Sequence, residues 1–192
     1  IATMGAMAKA KPELLGSAAT AAIISCLSTM LQLMLLLVAI DSASLQTMLI
    51  PLLAGALASV LYGAYGLLTW TGRPAVIELG RAFNLKIALA IGASVGIVQL
   101  LSAVLFAWKG SDGLLLATTI SGFADTHAAA ASVANLAHSD KIPVAAIVVP
   151  ILGALSSNTL SKCFMAWVAG GKAFSMRVIP GLILVLMALW GA

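Results

Sequence analysis

Apolar residues run through this chain in stretches of about twenty or more, broken by short polar connections and almost free of charge inside. A hydrocarbon core of ~30 Å takes about 20 helical residues. Six segments meet that length: 14–39, 46–70, 85–108, 113–137, 142–169 and, shortest, 174–191. Residues 1–8 read as the tail of a further helix. The connections carry turn chemistry: Lys11-Pro12, Asp41-Ser42-Ala43-Ser44, Lys109-Gly110-Ser111, Asp140-Lys141-Ile142-Pro143 and Gly170-Gly171-Lys172, with only 71–84 longer. The pattern predicts an all-α, polytopic transmembrane helical bundle: six full spans plus the end of another, in one membrane domain over 1–192. The chain starts at Ile1 without a signal-peptide pattern, so the expectation is a domain truncated at its N-terminus.

Composition narrows the class without changing it. Of 192 residues, 62% are hydrophobic and 8% charged, with a mean hydropathy of +1.13. No basic cluster with interleaved aromatics accompanies the net charge of +4, which excludes nucleic acid as a partner and leaves the lipid bilayer. Read through six alternating spans, Lys9, Lys11, Arg73, Arg81, Lys86 and Lys141 fall on one side, and Lys109, Lys172 and Arg177 on the other. The richer side is cytoplasmic by the positive-inside rule, which places the C-terminus there too. Trp70, Trp108 and Trp190 lie near span ends, where interfacial aromatics belong. Ala88, Gly92 and Gly96 form a small-residue stripe for close helix approach, and an oligomer is compatible with it. Cys26 and Cys163 read as core thiols. Asp41, Glu13 and Asp140 read as loop charges.

Sliding the chain against itself by 129 residues brings Ser28 onto Ser157, Leu31 onto Leu160 and Ile50-Pro51 onto Ile179-Pro180. Ser28-Thr29 then falls on Ser157-Asn158, and Gln32 on Ser161. This predicts two repeats, about 1–70 and about 113–192, with 85–108 as a connecting span. Three helices between equivalent elements predict a parallel repeat, about an axis along the membrane normal.

The polar residues inside the spans carry the functional reading. An ionisable side chain at membrane depth costs a few kcal/mol unless it is paired or faces water, and Asp125 lies deep in the fourth segment. On a rise of ~1.5 Å per residue, Asp125 lies about 18 Å, Asn158 about 17 Å and Lys162 about 10 Å from the outer boundary. Asn158 and Lys162 share a helix face at i, i+4, and Ser157 and Ser161 share the next. These positions predict a polar cavity lined by Ser121, Asp125, Thr126, His127, Ser157, Asn158, Ser161 and Lys162, to which the first repeat adds Ser28, Thr29 and Gln32. Gly122, beside a serine and a threonine pair, lets the helix loosen and expose carbonyl oxygens, an arrangement common at transporter sites. His127 is a candidate proton carrier or, with Asp125, metal ligand. On a regular helix these two side chains would point apart, so a joint site needs a loosened backbone. The bland alternative is a buried Asp125–Lys162 ion pair holding the bundle together. His138 reads as a solvated cap and Asn135 as an interhelical hydrogen-bonding group. No nucleophile–base spacing, phosphate loop or two-histidine metal motif points to an enzyme.

The run Ser121-Gly122-Phe123-Ala124-Asp125-Thr126-His127-Ala128, with Ser157-Asn158-Thr159-Leu160-Ser161-Lys162 and Gly170-Gly171-Lys172 to Pro180-Gly181, resembles an uncharacterised bacterial integral-membrane domain that commonly follows an MgtC/SapB-type domain in one polypeptide. The resemblance covers most of the chain, including Arg81 to Leu85, and is most specific in the two motifs of the second half. It implies a multi-pass protein of the bacterial inner membrane, an MgtC/SapB-type domain as partner, and a link to magnesium or other ion homeostasis. Relatives often carry a second acid where this chain has His127, so a hard cation fits this chain less well than a softer divalent metal or proton-coupled chemistry. Together these readings predict transport or permeation of a small ion or solute through a site near the bilayer midplane, with no cofactor and with a divalent cation as one candidate substrate. The alternative is a non-transporting membrane module that binds or regulates partner proteins.

Overall fold

The computed structural model describes residues 1–70 and 85–192, and all regular structure within them is helical. In order these are α1 (Ala2–Ala10), a 3-10 turn (Pro12–Leu14), α2 (Leu15–Ile40), α3 (Ser42–Thr69), α4 (Leu85–Gly122), α5 (Thr126–His138), a second 3-10 turn (Val144–Ile147) and α6 (Val148–Gly191). Three of these stretches are long and apolar enough to cross a membrane: Pro12–Ile40, Ser42–Thr69 and Val144–Gly191. The chain is a helical membrane protein. The charges Arg73 and Arg81, Lys86 and the stripe Ala88, Gly92 and Gly96 lie outside the described residues and side chains.

Three of the breaks have a local cause. Asp41 ends α2 by capping α3: its Oδ2 accepts from the Ser44 amide (2.8 Å) and the Ser44 hydroxyl (2.7 Å). Those Ser44 donors, the hydroxyl first, hold the Asp41 carboxyl below the usual carboxylate range. It is therefore a helix cap, where the sequence reading made it a loop charge. Unbroken, the 44 residues of α6 would reach about 66 Å, twice the thickness of a hydrocarbon core. Gly171, with φ 68° and ψ −174°, divides it in a conformation that only glycine holds without strain. Gly110 (φ 60°, ψ −137°) divides α4 in the same way.

The chain forms two compact units. The first comprises Ile1–Gln32, Ile50–Val76 and Thr159–Ala192. Its core sets Ala18, Ala19, Ala22, Ile23 and Cys26 of α2 against Ala8, Ala166, Phe174, Val178 and Leu182. Glycines let the backbones close in. A Cβ on Gly66 would stand 2.8 Å from Thr20 Oγ1, one on Gly63 3.0 Å from Ile24, and one on Gly55 3.4 Å from Met30; α3 runs antiparallel to α2. Lys162 meets Thr29 and Gly170 packs on Gly5, so 159–170 also runs against α2. Gly181 faces Ile23 and Tyr62, and Leu189 faces Gly55, so 172–191 turns back along α2 and against α3.

These directions correct two expectations. The 129-residue shift aligns α2 with 148–170 and α3 with 172–191, and each aligned pair runs in opposite senses, not in parallel. The start of α2 also adjoins the Gly171 break, which puts Lys172 and Arg177 at the same end of this unit as Lys9 and Lys11. There Arg177 stacks over Trp70, 5.6 Å from the ring centroid, and its carbonyl accepts from the Tyr62 hydroxyl (3.0 Å).

The second unit comprises Leu33–Leu49 and Ile77–Asn158. The fourth expected span, 113–137, is not one helix. It breaks at Phe123-Ala124-Asp125 into 111–122 and α5, about 18 and 20 Å long, each short of the ~30 Å that a crossing needs. A Cβ on Gly153 would lie 3.4 Å from Leu115 and 2.7 Å from Thr119 Oγ1, and one on Gly122 2.6 Å from Ala154 Cα. Helix 111–122 thus follows 148–158 in the same sense, while α5 packs along α4 and ends one loop before α6 begins. The two halves fold back on each other with residues 123–125 at the tip. His138, at the end of α5, acts electrostatically on Asp41, so the loop bearing Asp140 and Lys141 shares the Asp41 end of α2.

Candidate functional site

The tip is built from hydrogen bonds that end one helix and start another. Ser121 is the last residue of α4 to accept helically, taking the amides of Ala124 (2.9 Å) and Asp125 (2.8 Å) on its carbonyl. Asp125 then turns extended (φ −154°, ψ 111°) and caps α5, its Oδ1 accepting the His127 amide at 2.8 Å. The cap also draws in the imidazole: His127 Nδ1 lies 3.2 Å from the same oxygen. That contact assigns the proton to Nδ1 and directs Nε2 away from the carboxylate. Asp125 and His127 thus meet through the loosened backbone that a joint site requires.

Two polar atoms at this pair, one of them the far nitrogen of the imidazole itself, find no hydrogen-bond partner among the described residues. These are Thr126 Oγ1 and His127 Nε2, and both atoms are buried. Thr126 is only 2% exposed. An unmade hydrogen bond at a buried group costs about 1–3 kcal/mol. The two orphans stand in the first turn of a thirteen-residue helix, where free amides and the helix dipole also converge.

Gly122 has a different role from the one its flexibility implied. It is buried against the backbone of Ala154 and the hydroxyl of Ser157, and the closeness of two helices, not a special φ, demands glycine. The Ser157 hydroxyl turns into its own helix and donates to the carbonyl of Ala154 (3.0 Å), and the Ser121 hydroxyl donates to Thr118 O (3.1 Å). Asn158 is half-buried in the same unit, and Phe123 and Ala124 at the tip are exposed.

The other predicted site residues belong to the first unit. Lys162 donates to Thr29 Oγ1 at 3.3 Å. Ser161 is half-buried, while Ser28 and Gln32 are exposed. Asp125 and Lys162 each have a partner inside their own unit, His127 and Thr29 respectively. The sequence reading missed the close Gly122–Ala154 approach and the Asp41 cap. The signal for the last was there: Asp followed three residues later by Ser at the head of an apolar run.

Residues 1–170 match the model of the family described as a domain of unknown function, DUF4010. The chain belongs to that family. No curated protein matches it, and no solved structure does. The matched region of this DUF4010 domain takes in the tip, Thr29 and Lys162, and stops just before the Gly171 break. Among the described residues, no three His, Cys, Asp or Glu side chains converge as a metal-ligand set, and Asp125 already spends one carboxylate oxygen on the cap and the imidazole.

Proposed function

We propose that this chain transports or conducts a small ion or solute, and that the site is the tip between α4 and α5. The observation that carries this is an interrupted helix whose new N-terminus holds a paired carboxylate and imidazole, with the imidazole Nε2 and the neighbouring Thr126 hydroxyl buried and without a hydrogen-bond partner among the described residues. Non-helical backbone at membrane depth is tolerated where it lines a cavity, and half-helix ends offer charge and hydrogen bonds to a passing solute. His127 is the proton-linked group of this reading. A divalent cation has less support than a proton, because the pair offers no third ligand of its own kind.

The membrane arrangement belongs to the same reading. In place of six full spans, α2, α3, 85–109, 148–170 and 172–191 cross, and 111–138 enters and leaves on one side. The repeat is then inverted, pairing α2–α3 with the two arms of α6. Two features support it: a break between the arms, at Asp41 and near Gly171, and an Ile-Pro step inside each second helix. Lys9, Lys11, Lys172 and Arg177 gather at one end, which faces the cytoplasm by the positive-inside rule. Helix 172–191 leads away from that end, so residue 191 faces the other side, reversing the first expectation. A bacterial inner membrane and an attached MgtC/SapB-type domain remain proposals from resemblance.

Single cysteines in a background without Cys26 and Cys163 test the orientation. Lys11→Cys and Lys172→Cys should react with an impermeant maleimide from one face of the membrane, and Lys141→Cys from the opposite face. Lys141→Cys reacting together with Lys11→Cys would restore the simple six-span order. The site itself is tested by Ala124→Cys in the same background. Labelling by small, charged thiol reagents is expected, since a conducting tip meets water; protection from both faces would sink the transport reading and favour a regulatory module.

A further inference from the structure

We infer that Cys26 and Cys163 together form a two-thiolate site for a soft monovalent metal ion, copper(I) or silver(I). Both thiols are free, and both belong to the first unit. Cys26 is buried in the core of that unit, and Cys163 packs against the same cluster. Lys162 Nζ meets Thr29 Oγ1 at 3.3 Å, and the 159–170 arm runs antiparallel to α2. Cys163, one residue on, is therefore level with Ser28, about 3 Å along the axis from Cys26. The faces agree as the levels do. Cys26 shares its helix face with Ala22 and Thr29, and Cys163 shares its own with Ala166. Ala22 and Ala166 are fully buried in the cluster that holds Cys26. With methyl groups beside both thiols, the two helices can lie at the short end of the usual separation of about 8–10 Å. Two sulfur atoms on facing stripes then reach one ion between them.

The ligand chemistry selects the ion. Soft thiolate ligands favour copper(I) over hard cations, and copper(I) and silver(I) are satisfied by two ligands in a line. Two sulfurs are therefore a complete set for them. Binding releases both thiol protons. Two thiolates and one monovalent ion carry a single negative charge, and Lys162, which acts electrostatically on Cys26, brings the matching positive one. Cys26 in turn acts on Cys163. The Thr29 hydroxyl gives its own proton to Ser25 O (3.3 Å) and so holds the ammonium three residues from Cys26. A charged group at membrane depth is tolerated when it is paired in this way.

The inference goes beyond the reading of the tip and does not depend on it. The experiment titrates the whole reduced chain in nanodiscs, without oxygen, with copper(I) against a chromophoric copper(I) chelator. One ion should bind per chain, and a thiolate-to-copper absorption band should rise in the ultraviolet with it. Cys26→Ser and Cys163→Ser should each remove the band and weaken binding by at least the roughly hundredfold that loss of an outer-shell partner can reach. Cys26→Ala and Cys163→Ala take their place if a serine variant does not fold. Diamide, which takes up the two protons and two electrons, should join the metal-free thiols within one chain. Mass spectrometry reads this as a loss of two hydrogens, and bound copper(I) should block it. The inference is overturned if the parent binds no copper, if a folded single-cysteine variant binds within about threefold of the parent, or if diamide leaves the thiols unjoined. Asp125→Asn should leave copper binding intact. Labelling of the tip uses chains without either cysteine. Copper bound by the parent, alongside a tip closed to thiol reagents, would therefore end the transport reading and leave this one standing.

Discussion

Asp125→Asn is expected to keep its stability and lose transport, whereas Asp125→Ala loses transport and part of its stability. Asparagine caps a helix about as well as aspartate, so the acceptor for the His127 amide, now at 2.8 Å, survives. What disappears is the charge beside His127 Nδ1. Thermal unfolding of the Asn variant should therefore stay within ~0.5 kcal/mol of the parent, and Asp125→Ala should fall by about 0.5–2 kcal/mol, the ordinary worth of an N-cap. Uptake of labelled sodium, manganese, chloride and succinate into vesicles, with internal pH recorded, gives the second axis. Any flux that the parent supports should drop to background in both variants. An Asn variant that transports like the parent would reduce Asp125 to a cap and remove the charge from the mechanism.

The largest loss of stability is expected from Gly122→Ala. The new methyl would press into the carbonyl of Ala154 and the Ser157 hydroxyl and stand 2.6 Å from Ala154 Cα. A side chain can turn away, but the helix backbone cannot, so 111–122 must lift off α6. Overpacking of this kind costs about 1–3 kcal/mol, and here it also displaces the tip. Gly191→Ala is the control, since nothing lies within 4 Å of its added Cβ, and it should melt with the parent. Equal melting temperatures for Gly122→Ala and Gly191→Ala would mean that the two helices do not touch there.

Much of the helical layout was legible because apolar run length and turn chemistry report on it directly. The expected segments 14–39, 46–70 and 142–169 fall within a few residues of α2, α3 and the first arm of α6, and the Asp41 and Gly170-Gly171 connections are real breaks. Direction was not legible. Two half-helices of 12 and 13 residues have the same length and hydropathy as one crossing, and nothing in composition separates them. A local clue existed: Asp125 before an alanine-rich run is a helix start, not an interior residue. The site was legible in part for a related reason. The Asp125–His127 meeting follows from a local cap, so the chain order carries it. The Lys162–Thr29 bond joins positions 133 apart; the 129-residue shift put both in one expected cavity, but spacing along a single helix carries no such contact.

The buried face of α5 is built mainly of small side chains: ten of its thirteen residues are buried, seven of them alanine, serine or threonine before Leu136 is reached. Large side chains lock helices together because each must leave its rotamer before the backbones can pass. Alanine has no rotamer to leave. α5 is in effect a smooth rod, and axial sliding meets little mechanical resistance from its own surface. A displacement that starts at the Asp125 tip would therefore travel to His138 as a rigid translation, with the short loop to α6 as the place where slack must be taken up.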